Sequence, residues 1–233
     1  GLAAYYEFRG QMVRAMEYRE RSFEIAATFT PPLEMTAQQL SSLGDYVRTG
    51  DTATAEAKLA EAIAALQPPM NVLIPLGELV YYLEIEDIVR AEQAIAGVEQ
   101  MIEQFSFESW RPAAVRGHAR VHELREEYSQ AIVQYEEQAR LRPANMSINR
   151  DLGRVHRLMG DLDAAEELLQ ERLKTVPVGP RTHYQLALVY IDMDKPEDAR
   201  RHLEQALTTW SEADEAYEPA RLAREKLKEL GGS

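Results

Sequence analysis

The amino-acid sequence predicts an all-α fold: a stack of about six helical hairpins closed by one lone C-terminal helix. Three observations predict it. Small residues recur where the two helices of a hairpin would cross, at Ala15, Ala55, Ala91, Ala131, Ala165 and Ala199, with spacings of 40, 36, 40, 34 and 34. Such near-periodic self-similarity marks a repeat architecture, in which no unit buries its apolar face alone. The 11 prolines and 12 glycines fall mostly between periodic segments, where chain breakers belong. The composition, 45% hydrophobic and 28% charged over 233 residues, is that of an ordinary globular chain with a sizeable core.

Each hairpin follows from local residues. Residues 1–31 read as a helix through Arg9, a turn at Gly10 and a long second helix, with Tyr5, Met12, Met16, Phe23 and Ala26 on the buried side. Pro31-Pro32 stops that helix, because the rings remove two donors and clash with helical backbone. In 36–69, Thr36 reads as an N-cap, and Leu43-Gly44, Tyr46, Gly50-Asp51, Ala55 and Ala62 carry the pattern, one residue short in the first helix. Its second helix, Thr54 to Leu66, is rich in alanine and strongly helix-forming. In 70–105, Leu76-Gly77 and Ala91 match, Glu86-Asp87 replaces Gly-Asp at the turn, and Pro75 predicts a kink or a late helix start. The link Ser106–Arg111, with Phe107 and Trp110, is expected to be irregular.

Pro112 suits the first turn of the helix that opens 112–143, where Tyr128, Ala131, Tyr135 and Pro143 match and Glu126-Glu127 stands at the turn. In 145–177, Leu152-Gly153 lets two backbones approach, Gly160-Asp161 breaks the first helix, and Pro177 ends the unit. In 180–210 the matches are Leu186-Ala187, Tyr190, Pro196, Ala199, Leu203 and Ala206. The last helix, 219–230, starts at Pro219 and is stopped by Gly231-Gly232; its polar face of Arg221, Arg224, Glu225, Lys226, Lys228 and Glu229 suits a cap on an open stack.

In register, these residues resemble the tetratricopeptide repeat (TPR) superfamily over nearly the whole chain, most strongly over 112–210. The stretch ALTTWSEADEAYEPARLAREKLKEL is similar to the end of TPR arrays in large bacterial proteins that also carry a kinase, cyclase or TolB-like module. The resemblance implies a right-handed superhelical solenoid of hairpins, with first helices lining a concave groove that holds a peptide or a partner helix. It also implies a regulatory arm of a larger bacterial protein. Gly1-Leu2 runs straight into helical pattern, as expected of a fragment or a processed chain.

The sharpest chemistry is a ladder of arginines. Arg116 and Arg120 are four apart; Arg150, Arg154 and Arg157 stand at i, i+4 and i+7, and so share a helix face. A spacing of 34 puts Arg116 level with Arg150 and Arg120 level with Arg154. By the resemblance this face looks into the groove. Planar guanidinium forks there would favour an acidic segment or a C-terminal carboxylate. The bland reading pairs them with Glu123, Asp151 and other acids, or leaves them solvated. Tyr81, Tyr82 and Tyr184 could line the groove elsewhere, against the alternative that they fill the packing between repeats.

Several classes are disfavoured. A net charge of −13 and a pI near 4.9 disfavour nucleic acid. No run of 18 apolar residues reads as a membrane span. Cysteine is absent, which removes disulfides and thiolate chemistry and fits a cytoplasmic location, or equally a periplasmic one. His118 and His122 are four apart and His156 is level with His122, but the flanking arginines would repel a cation, so no metal is expected. With no GxGxxG, GxxxxGK[ST] or GxSxG, and no nucleophile–base arrangement, the expectation is no catalytic residue and no cofactor. The expected function is a protein-binding scaffold with an acidic ligand. The alternative is self-association, or spacing of modules without a peptide ligand.

Overall fold

A computed structural model describes residues 1–143, 145 and 147–231. Gly232, half of the expected helix stop, lies outside the described residues. Those described are organised into α-helices with short 3-10 turns, and the fold class is an all-α helical repeat of the solenoid kind. The helices are α1 Leu2–Phe8, α2 Met12–Ala26, α3 Pro32–Ser41, α4 Leu43–Arg48, α5 Thr52–Ala65, α6 Ile74–Glu84 and α7 Ile88–Phe105. There follow α8 Arg111–Leu124, α9 Tyr128–Leu141, α10 Ile148–Met159, α11 Leu162–Thr175, α12 Pro180–Asp192, α13 Pro196–Thr209 and α14 Glu218–Leu230.

One backbone device recurs. Gly10, Gly50, Glu86, Glu126, Gly160 and Asp194 all have φ between 57° and 88°. Each stands five residues before a crossing alanine, so these turns repeat the spacings of the alanines. After each, the next N–H donates to the carbonyl five residues back: Gln11 to Tyr6, Asp51 to Tyr46, Asp87 to Tyr82, Glu127 to His122, Asp161 to His156 and Lys195 to Tyr190, all at 2.8–3.0 Å. This is the Schellman stop of a helix end, which satisfies a carbonyl that the helix leaves open. Three turns use glycine and three an acid, so the Gly-Asp signal is weaker in sequence than the turn is in structure. The six alanines are all buried, at 1% exposure or less.

The chain divides into two compact units, residues 16–127 and residues 1–15 with 128–233. In the first, α3 and α4 pack on α6, α4 on α5, α5 on α6, α6 on α7 and α7 on α8. Leu40, Leu43, Leu59, Leu76, Leu79, Ile95 and Val98 lie at the centre of its core. Thr36 does not cap this unit: the helix begins at Pro32, whose fixed φ suits a first turn, and Thr36 lies inside it. The pattern one residue short at Leu43-Gly44 corresponds to a break at Ser42, between α3 and α4. At Pro75 the late start is observed, with a 3-10 turn over Met70–Leu73 before α6. Ser106, in the left-handed region, and a 3-10 turn at Glu108–Trp110 make the following link irregular.

In the second unit, α9 packs on α10, α10 on α11, α11 on α12, α12 on α13 and α13 on α14. First helices of successive hairpins also touch, α10 with α12 and α12 with α14. Gly153 permits a close crossing: a Cβ there would meet Leu169 Cγ at 2.7 Å and the Ala165 carbonyl oxygen at 3.3 Å. Residues 9–13 join the end of this unit. The Asp214 N–H donates to the Gly10 carbonyl (3.0 Å), the Val13 N–H to the Asp214 carboxylate (2.9 Å), and Gln11 Nε2 to the Glu212 carbonyl (3.1 Å). Met12 enters the core of Trp210, Tyr217, Leu203, Ala220 and Ala223. Tyr5, expected on the buried side, is instead 53% exposed, because α1 buries none of its residues.

Candidate functional site

Helix α10 splits its faces by period. Ile148, Leu152 and Val155 point to the core, and Arg150, Arg154 and Arg157 lie half-buried on another face. These three arginines have different surroundings. Arg157 Nη1 donates to Asp192 Oδ2 at 2.8 Å, and Arg154 Nη2 lies 3.4 Å from the Tyr135 hydroxyl and 3.6 Å from Asp151 Oδ1. Arg150 lines a cavity of about 260 Å³.

Two further arginines line that cavity, Arg172 near the end of α11 and Arg181 in the first turn of α12. The α11–α12 link, closed by the Gly179 N–H on the Val176 carbonyl (3.0 Å), brings them together. Arg172 Nη1 donates to Thr175 Oγ1 at 2.9 Å, and Arg181 Nε to the Tyr217 hydroxyl at 3.0 Å. Each bond uses one of the five N–H donors of a guanidinium. One carboxylate, that of Glu7 on α1, shares the lining. Three guanidiniums, one carboxylate and the positive end of α12 make this a cationic hollow in a chain of net charge −13.

The other residues singled out in sequence have surroundings of their own. Arg116, exposed, and Arg120, which pairs with Glu123 at 2.8 Å, belong to the unit of residues 16–127. Tyr81 is buried at 5% exposure, so it fills core rather than an open surface. Its register-mates explain why: ten residues before the crossing alanine stand Val121, Val155 and Val189, all buried. Tyr82 meets Tyr81 edge-on and lies under the Arg90 guanidinium, 4.6 Å from the ring centroid. Tyr184 is half-buried against Trp210, ring centroids 6.2 Å apart. Arg172 and Arg181 were missed in sequence because neither belongs to an i, i+4 series with Arg150. The sequence signal was the pair Arg172 and Arg181 flanking the α11–α12 link.

The histidines are engaged in local bonds. His118 meets Glu99 (2.9 Å), His122 meets Glu127 (2.6 Å) and His156 meets Asp161 (3.1 Å). Among the described residues, no three His, Asp or Glu side chains are grouped to hold a metal. Among them also, no helix is long and apolar enough to cross a membrane.

Comparison with known proteins places these hairpins. Tetratricopeptide repeat models match residues 111–180 and 180–205. Residues 111–205 thus carry tetratricopeptide repeats, within a chain whose fold is an all-α helical repeat. No curated protein sequence matches. Among solved structures, the chain is similar to the APC/C hetero-tetramer Cut9-Hcn1 with a TM-score of 0.76 and 20% identity, over 98% of this chain and 41% of that one. It is also similar to TTC0263, a thermophilic TPR protein of Thermus thermophilus, with a TM-score of 0.64 and 15% identity over 82% and 98% of the two chains. A third is PilW, a type IV pilus biogenesis factor, with a TM-score of 0.57 and 16% identity over 82% and 90%. The chain thus spans less than half of the Cut9-Hcn1 chain that it matches.

Proposed function

We propose that this protein is a protein–protein interaction scaffold that binds an acidic segment of a partner at the cavity of Arg150, Arg172 and Arg181. The observation that carries this reading is the convergence of three guanidiniums from three helices on one hollow. Arginine forks match carboxylates bidentately, and partial burial strengthens each charge-assisted bond. Tetratricopeptide repeats support the scaffold role, and the Cut9-Hcn1 relative is itself described as a hetero-tetramer. Within this reading, Arg154 and Arg157 brace α10 against Tyr135 and Asp192 and support the cavity rather than touch the ligand.

Fluorescence anisotropy with a labelled poly-glutamate peptide tests it. A chain of charge −13 repels such a probe in general, so binding reports a local site. Wild type is expected to bind, more weakly at high salt, and Arg150→Glu with Arg181→Glu to lose at least tenfold in affinity while keeping its helical circular dichroism. Equal binding by wild type and variant, or none by wild type, would sink the proposal.

A further inference from the structure

Helix α1 stands at the same cavity, and it carries the hollow's one acid. Glu7 and Phe8 line it together with Arg150, Arg172 and Arg181. We propose that the cavity is a carboxylate subsite occupied in cis by Glu7, and that an acidic partner enters by displacing α1. This rests on the function proposed above and adds how the site is governed.

Two features of α1 suit a displaceable occupant. The helix is loosely held: none of its residues is buried, and Leu2 and Tyr5 are more than half exposed. The firm attachment lies just beyond it, in the backbone bonds of Gly10 and Val13 to Asp214 and in the burial of Met12. Between the two stands Gly10, with φ of 72°, at the junction of α1 and α2. Helix α1 can therefore leave the cavity while residues 10–15 stay docked. A tethered ligand of this kind acts at an effective concentration in the millimolar range even when its contacts are weak. An incoming segment then meets the fraction of molecules whose cavity is open, and its apparent affinity falls by that fraction.

The absence of cysteine makes the test direct. Tyr5→Cys, at an exposed position of α1, carries a single spin label on the full chain. Addition of the poly-glutamate peptide is expected to raise the label's mobility. Glu7→Gln is expected to raise it without peptide and to bind the peptide at least threefold more tightly than wild type. If the peptide binds wild type and Glu7→Gln equally and the label does not respond, α1 is not the occupant, while the binding function stands. If the peptide binds neither protein, the function reading fails and this inference fails with it.

Discussion

The Nδ1 atoms of His183 and His202 lie 2.8 Å apart, while His183 Nε2 stands 2.8 Å from the Pro177 carbonyl oxygen. The carbonyl can only accept, so Nε2 carries the His183 proton, and His183 Nδ1 accepts from His202. Tyr190 stacks on His202. The arrangement joins α12 to α13 and holds both rings neutral. Burial, then the neighbouring His183 and Arg201, push His202 down to about 4, and burial pushes His183 down as well.

Stability should therefore depend on pH with a definite sign. Both rings titrate lower in the folded chain than the ordinary value of 6.5, so the unfolded chain binds more protons between about pH 6.5 and 4. The contribution is complete above pH 6.5 and is lost as pH falls toward 4. Discounted for the solvent that reaches His202, the loss from pH 7 to pH 5 is about 1–2 kcal/mol. Urea midpoints at the two pH values measure it. His202→Gln should flatten the dependence, and an unchanged slope in that variant would place the titrating group elsewhere.

Overpacking at a crossing should be costly. Ala165 and Ala199 are fully buried, so Ala165→Leu or Ala199→Leu is expected to destabilise by ~1–3 kcal/mol. Gly153→Ala should do the same, since its methyl would overlap Leu169. Thermal unfolding decides this, and neutral behaviour at all three would contradict the hairpin register.

Glu86 and Glu126 should gain from replacement by glycine. Both are exposed and both hold φ of 59°, where a Cβ is strained. Glu86→Gly or Glu126→Gly should stabilise by about 1 kcal/mol, less any loss of charge interactions. The same change at a helical surface position such as Glu61 should cost about 1 kcal/mol, which controls for the flexibility of glycine.

Asp45 is 2% exposed and flanked by the Arg19 and Arg48 guanidiniums. It stands at the register position that Val121, Val155 and Val189 fill elsewhere. Asp45→Val should nevertheless destabilise by about 3 kcal/mol, because two half-buried cations lose their shared acid. Adding Arg19→Met and Arg48→Met should restore much of that loss in a denaturant titration. Failure of the triple variant to recover would show that the acid holds more than those two arginines.

The hairpin register was legible because its signals are local. An alanine at a crossing and a turn five residues earlier belong to one stretch of chain, and the helix period relates them. Substitution blurred that signal at Glu86 and Glu126, where side chains replace glycine at a left-handed turn whose hydrogen bonds are unchanged. Tyr81 was legible in principle too, since its register-mates are valines. The sequence left Tyr81 between lining a groove and filling the packing between repeats, and its buried position falls on the packing side.

By itself, then, the sequence determined the all-α class and the pairing of α4 with α5, α6 with α7, α10 with α11 and α12 with α13, because each depends on contacts between neighbouring residues along the chain. Tertiary structure alone decided which arginines share a cavity. Arg150, Arg172 and Arg181 come from three helices, and Glu7 joins them from the far end of the chain. Likewise, only the fold brings Gly10 and Val13 to Asp214, some two hundred residues away. The physical reason is that such meetings depend on the sum of every packing angle between the partners, and no local pattern of residues records that sum.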